Sequence, residues 1–276
     1  MNGSGVALCL GSSFRGYYAH CGFLAEISHC PRQPEKIAGT SAGAIASLLY
    51  AVGYRSDELI QFITARGLTR SFFDWGFLLR IPGVVTHLRG TGIFTGDGAI
   101  TYLRKRLGQV RLEDLHAPQL GIAVTDLIGC RSLLVSHGDA VEYAVASCMV
   151  PGLFRARAID DRLLWDGGLA HDLPFQHYID DPDIHTILLH RVERSCHAQR
   201  ALSGAWNMTR GFAASHEIIA NELNARRKEL AAIKGKRIIE YVTRTPHPGL
   251  THKHQHTLIN AGRRTGQQAA KDRCFA

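Results

Sequence analysis

The residues best placed by type and spacing to do chemistry are Ser41 and Asp166. Ser41 sits at the centre of Gly39-Thr40-Ser41-Ala42-Gly43, a G-x-S-x-G pattern. That pattern fits a nucleophile elbow: a sharp strand-to-helix turn lifts the serine out of a sheet, and Gly39 and Gly43 let neighbouring backbone pass closely. The helix that follows aims its amino end at the place where an acyl-transfer reaction develops negative charge. The five residues alone are a modest signal, since at ordinary Gly and Ser frequencies a chain of this length matches about one time in ten. Their setting adds weight: the strand-like Ile37-Ala38 precedes them and the small, apolar run Ala42 to Val52 follows. Asp166 opens Asp166-Gly167-Gly168 after the apolar Leu163 to Trp165, and taken alone it reads as an Asp-Gly turn.

A serine nucleophile needs a base and an oxyanion hole. The common hydrolase order is Ser, then an acid, then His. Here only about one and a half strands precede Ser41, which leaves little room for the upstream strands of that sheet. The 15 histidines single out no partner. His252-His254-His256 alternates as a metal-binding tract could, but fits a polar loop or strand face better. A histidine base therefore stays open at this point.

The elements that must hold these groups alternate. Val6 to Leu10 reads as a buried strand ending at Gly11, and Gly16 to His29 carries apolar residues at helical spacing. Ser56 opens another helix with Asp57 and Glu58 in its first turn. Arg70 to Val85 is aromatic and loop-like, Gly96 to Leu107 helical. Leu120 to Leu127 and Ser132 to Val135 are strands joined by a turn at Gly129, and Ala140 to Cys148 is helical up to Pro151. Ile184 to His190 is a further strand, and Ala201 to about Lys234 forms one or two long helices. Beyond Tyr241 only a helix near the end is legible. The order predicts one domain over residues 1–276, a three-layer α/β/α sandwich around a central, largely parallel sheet, with the site at the carboxyl ends of strands.

Composition sets the class. The chain has 276 residues, 45% apolar and 20% charged, which suits a soluble globular protein. No stretch approaches the roughly 20 apolar residues of a bilayer span, and the first residues lack the basic and apolar regions of a signal peptide. An intracellular, cytoplasmic location is expected. The seven cysteines form no C-x-x-C pair, so neither a disulfide framework nor a cysteine-based zinc site is expected. The net charge of +8 lies mostly late, in Arg226-Arg227-Lys228, Lys234 to Arg237 and Arg263-Arg264. It suits a solvated helical face or an anionic membrane surface. No nucleic-acid motif accompanies it.

Five blocks in order resemble the patatin-like phospholipases over about residues 5–174. They are Gly11-Ser12-Ser13-Phe14-Arg15-Gly16 with Gly22, then Gly39 to Gly43, then Val124-Thr125-Asp126-Leu127 with Gly129. Ala146-Ser147-Cys148-Met149-Val150-Pro151-Gly152-Leu153-Phe154 follows, and last Asp166-Gly167-Gly168-Leu169 with Leu173-Pro174. The resemblance implies a lipid acyl hydrolase with a Ser-Asp dyad and no cofactor. Ser41 would attack an acyl ester, and Asp166 would take the proton and later activate water. The backbone N–H groups of Gly11, Ser12 and Ser13 would form the oxyanion hole, with Arg15 and Gly16 supporting the loop. The chain departs from the family in placing serines where glycines are usual. This puts the loop's conformation in question, because serine tolerates positive φ poorly.

Three readings follow. The first is hydrolysis of phospholipid or glyceride esters through the dyad. The second keeps the chemistry but uses a histidine. The third, from another class, is a catalytically weak lipid-binding or regulatory protein. Ser71 to Leu79, Ser-Phe-Phe-Asp-Trp-Gly-Phe-Leu-Leu, suits either a patch that enters lipid or a buried anchor.

Overall fold

A computed structural model describes residues 5–65, 67–86, 90–194, 208–245, 252–272 and 275. In chain order the elements are β1 (Gly5–Leu10), α1 (Tyr17–Ile27), β2 (Lys36–Thr40), α2 (Ala42–Ala51), α3 (Ser56–Thr64), α4 (Leu68–Ser71), α5 (Phe77–Val85), β3 (Gly92–Phe94) and α6 (Asp97–Leu107). Next come β4 (Gln119–Asp126), β5 (Arg131–Val135), α7 (Ala140–Ala146), β6 (Gly152–Phe154), β7 (Arg157–Ile159), β8 (Arg162–Asp166), α8 (Gln176–Ile179), β9 (Ile184–Arg194), α9 (Met208–Ile233), β10 (Arg237–Thr245) and α10 (His252–Ala269).

Eight strands form one sheet in the order β10-β9-β1-β2-β4-β8-β7, with β5 also on β4. The run from β10 to β4 is parallel, whereas β5, β8 and β7 pair antiparallel. Helices flank a central, mostly parallel sheet, as the alternation of elements predicts. β1 is buried at all six positions, because both faces are covered. α2 likewise buries all ten of its residues. Each fully buried large apolar side chain there adds about 1.5–3 kcal/mol of transfer free energy.

The register of β4 decides where the chemistry can sit. β5 occupies one edge of β4 over Ile122 to Asp126. β2 holds the other edge as far as Thr40 opposite Ala123, and β8 takes over there, with Asp166 opposite Val124. The chain that leaves β2 at Ser41 therefore comes out beside the end of β8.

Several expectations are corrected here. Residues 70–85 are not a loop but mainly two short helices, α4 and α5. Phe72, Phe73 and Phe77 give them apolar anchors against Phe94 and Phe154. The stretch after Tyr241 carries β10 to Thr245 and then α10. His252, His254 and His256 lie in that helix, where residues two apart sit about 200° round the axis, so the tract shares no single face. The long helix expected from Ala201 is seen as α9, and residues 201–207 lie outside the described residues.

The C-terminal part belongs to the same packing. α10 crosses α1 so closely that a methyl group on Gly22 would come within 2.3 Å of the Ile259 carbonyl oxygen, and one on Gly262 within 1.9 Å of the Ala19 oxygen. The late basic residues are largely engaged. Lys228 and Arg191 bind Glu240, Lys234 binds Asp180, Lys236 donates to the Asp181 and Ile184 carbonyls, and Arg263 pairs with Asp57. Lys228 fastens α9 to β10, and Arg263 fastens α10 to α3.

Candidate active site

At Ser41 the backbone leaves β2 with φ 52° and ψ −116° before entering α2. A non-glycine residue in that region is strained, and persists only where its surroundings hold it. The surroundings do so. The Ser41 N–H donates to Ser147 Oγ at 2.8 Å, and Ser147 Oγ donates to the Ala123 carbonyl at 2.6 Å. Gly39 and Gly43 face each other across the turn: a methyl group on Gly39 would lie 2.3 Å from the Gly43 oxygen. One on Gly43 would lie 2.3 Å from the Leu10 oxygen. Both glycines are thus required by close backbone approach.

Asp166 is buried and stands at the first turn after β8, with its Oδ1 accepting from the Gly168 N–H at 2.7 Å. Its main chain is fixed on both sides. The Asp166 N–H donates to the Met149 carbonyl at 3.0 Å, and Thr125 Oγ1 donates to the Asp166 carbonyl at 2.9 Å. The Ser41 side chain stands close enough to the Asp166 carboxyl and the Cys148 thiol to lower the pKa of each. Burial pushes the Asp166 carboxyl up to about 7, against the lowering influence of the Gly168 N–H and the nearby Ser41 side chain. Burial also raises the Cys148 thiol well above its ordinary value, so it faces the site as a neutral group.

The loop after β1 differs from the expectation. The Gly11 N–H donates to the His190 carbonyl at 3.1 Å, continuing the β1–β9 pairing. The Ser12 N–H donates to the Asp172 carbonyl at 2.9 Å. Two of the three amides expected to line an oxyanion hole are therefore turned into the fold. Among the described residues the Ser13 amide donates to none. Neither serine takes a positive φ; the left-handed residue in this loop is Arg15, at φ 58°. Arg15 is buried, with its guanidinium 5.5 Å from the Tyr18 ring centre, and Gly16 is pressed against Ser13.

Two buried histidines fix the same loop. His20 Nε2 lies 2.9 Å from the Gly11 carbonyl, and its Nδ1 lies 2.8 Å from His190 Nδ1. A carbonyl can only accept, so His20 carries its proton on Nε2 and accepts through Nδ1, which makes His190 Nδ1 the donor. His190 Nε2 then meets Thr243 Oγ1 at 2.8 Å, and Thr243 meets Thr265 on α10 at 2.8 Å. Burial holds His20 down to about 4 and His190 well below its ordinary range, so both rings are neutral near pH 7.

Sequence reasoning gave no role to Ser147, His20, His190 or Asp172. Ser147 stood inside a quoted block, and Asp172 between two quoted pieces. The histidines had no signal, since their partners lie 170 residues apart. A cleft of about 930 Å³, lined by Lys36, Gln119 and His185 among others, lies at the opposite, amino ends of the strands.

Comparison with known proteins gives the family. The sequence model described as "Patatin-like phospholipase" matches residues 8–179. The chain belongs to the patatin-like phospholipase family. It is 31% identical over 169 residues to an uncharacterised NTE family protein of Mycobacterium tuberculosis, covering 61% of this chain and 44% of that protein. It is 25% identical over 181 residues to patatin-like phospholipase domain-containing protein 7 of Mus musculus, covering 63% of this chain and 12% of that one. The chain thus spans less than half the length of these relatives. Among solved structures, VipD from Legionella pneumophila aligns with a TM-score of 0.53 at 13% identity, over 98% of this chain and 67% of that one. This is a likeness of fold.

Proposed function

We propose that this member of the patatin-like family is a serine esterase acting on lipid acyl esters through a Ser41–Asp166 dyad. The observation that carries the reading is the register of β4, which brings Ser41, at a strained turn, beside a buried Asp166 carboxyl raised to about 7. A carboxylate of that strength is a competent base near neutral pH, where an ordinary one is too weak.

In the first half-reaction Ser41 Oγ bonds to the ester carbonyl carbon while Asp166 takes the hydroxyl proton. The C=O π electrons move onto oxygen. That oxyanion lies near the amino end of α2, where the Ala42 and Gly43 amides have no helical acceptor, and near the Ser13 loop. The intermediate collapses with cleavage of the C–O bond, and Asp166 returns its proton to the departing alkoxide. In the second half a water gives its proton to Asp166 and its oxygen to the acyl carbon. Ser41 leaves and recovers a proton from Asp166, releasing the fatty acid.

Family membership supports a lipid substrate, and so do the apolar side chains beside the dyad. Phe14, on the loop after β1, is 54% exposed. Leu169 follows Asp166-Gly167-Gly168 and is also exposed, and its carbonyl is met by His216 of α9, next to the exposed Ile218 and Ile219. On α5 and just before it, Trp75, Leu78 and Leu79 are exposed at 84%, 60% and 89% while the phenylalanines anchor the segment. This exposed set suits contact with a membrane surface, with the positive net charge favouring anionic lipid. Among the described residues no helix is long and apolar enough to cross a membrane.

One observation favours the catalytically weak reading: the Gly11 and Ser12 amides are already taken. Hydrolysis of a panel of phospholipid and glyceride esters, with Ser41→Ala as control, decides between them. Ser41-dependent fatty acid release is the expected result, and equal release by both proteins overturns the reading.

A further inference from the structure

Asp172 holds one residue of the loop at two points. Its carbonyl accepts the Ser12 N–H at 2.9 Å, and its Oδ1 accepts the Ser12 hydroxyl. The peptide before Ser12 is held from the other side, since the Gly11 carbonyl is bound by His20. The pair also abuts the dyad. A methyl group placed on Gly168 would come within 3.0 Å of Asp166 Oδ1 and 3.1 Å of Ser12 Oγ. The buried Asp166 and the Ser12 hydroxyl that the part-buried Asp172 binds therefore flank the same glycine. The charged groups around Asp172 are Arg191 on β9 and His216 on α9, which favour its ionised form, and Glu217 on α9, which opposes it. His216 also favours ionised Asp166, and Asp172 opposes it.

We propose that Asp172 is a positioning residue: by gripping the backbone and hydroxyl of Ser12 it fixes the loop that presents the Ser13 amide, and it sets a second carboxylate beside Asp166. The serine that replaces a glycine in this loop is then the handle by which the loop is held. The proposal rests on the Ser41–Asp166 reading for its catalytic half only.

The test uses Asp172→Ala, Asp172→Asn and Ser12→Ala in the full chain, with two readouts. The first is amide hydrogen exchange of the 11–16 segment followed by mass spectrometry. Losing the grip in Asp172→Ala is expected to speed exchange there by about tenfold or more, with Ser12→Ala intermediate. Asp172→Asn keeps an acceptor for Ser12 Oγ and is expected to match wild type. The second is the pH profile of kcat and KM with p-nitrophenyl butyrate. Asp172→Ala is expected to lose about tenfold or more in kcat with little change in KM. Asp172→Asn is expected to recover most of that turnover at pH 8.5 and to move the acidic limb to lower pH, because a like charge beside Asp166 has gone. Wild-type exchange in both Asp172→Ala and Ser12→Ala, or an unmoved acidic limb in Asp172→Asn, overturns the proposal. If Asp172→Ala does not fold, Ser12→Ala and Asp172→Asn still decide it. Hydrolysis that does not depend on Ser41 sinks the dyad instead, and the exchange experiment then still decides the grip.

Discussion

Thr40 and Asp166 lie against consecutive residues on one edge of β4, Thr40 opposite Ala123 and Asp166 opposite Val124. A parallel strand and an antiparallel strand thus meet end to end along a common neighbour. Ser41, the next residue after Thr40, emerges at the junction. The two groups are 125 positions apart in the chain, and backbone register alone delivers them to the same place.

From this junction comes the most direct expectation. Ser41→Ala and Asp166→Asn should each lower kcat/KM on a short-chain ester by about a thousandfold or more, and the double variant should fall little further, because the residues act as one unit. A fluorophosphonate probe should label wild type and fail on Ser41→Ala. Additive losses in the double variant would speak against a shared step.

The acid limb of the rate profile should report Asp166. The base must be ionised, so kcat/KM should climb about tenfold per pH unit below 7 and level off above the midpoint near 7. A limb centred near 4, the range of an ordinary carboxylate, would show that burial does not tune this group.

Stability should carry the same signature with the opposite preference. The folded-state value of Asp166 is raised from its ordinary 3.8 to about 7. Its contribution is therefore fully present below pH 3.8 and is lost as pH rises through 7. Asp166→Asn cannot ionise, so its stability relative to wild type should improve by on the order of 4 kcal/mol between pH 4 and 8. Urea denaturation of both proteins at several pH values measures this, and two parallel stability curves would refute it.

Ser147→Ala tests what holds the strained turn. It removes the acceptor of the Ser41 N–H and the donor to the Ala123 carbonyl, leaving two buried groups unpaired. The expected loss is about 1–3 kcal/mol in urea denaturation, with turnover reduced as Ser41 relaxes. Unchanged stability together with unchanged turnover would assign the strain to some other support.

Changing Trp75, Leu78 and Leu79 together to serine should cut sedimentation with phosphatidylglycerol vesicles by about tenfold or more. Hydrolysis of a water-soluble ester should stay within about twofold, because these side chains are exposed while the phenylalanine anchors remain. A parallel fall in both would mean that the segment shapes the site instead.

How much of this was legible in the sequence follows from how local each signal is. β1, β2, α2, β4 and β9 were readable because strands covered on both faces are short apolar runs, and a helix packed inside is small and apolar throughout. The glycines flanking Ser41 announced a tight turn, and the structure shows which backbone atoms demand them. The 70–85 segment misled, because its aromatic residues obscured a helical spacing that the Phe94–Phe154 cluster stabilises. β10 was missed because Arg237 to Thr245 mixes charged and apolar residues at the sheet's edge. The commitments of the Gly11 and Ser12 amides could not be read, since their acceptors come from His190 and Asp172, more than 150 residues downstream. The serines put the loop's conformation in question, yet neither takes a positive φ, and the left-handed residue is Arg15, which the sequence marks only as a support.

The tight crossing of α10 over α1 has a consequence for how the protein is made. The nucleophile and the loop after β1 are both synthesised well before β9 and α10. Yet β1 has only β2 beside it until β9 is made, and the hydrogen-bonded chain behind Gly11 ends at Thr265. A nascent chain therefore carries its reactive serine long before it can hold the surrounding loop in place. Contacts of such long sequence separation form late, so the site stays incomplete until β9, β10 and α10 have all been made.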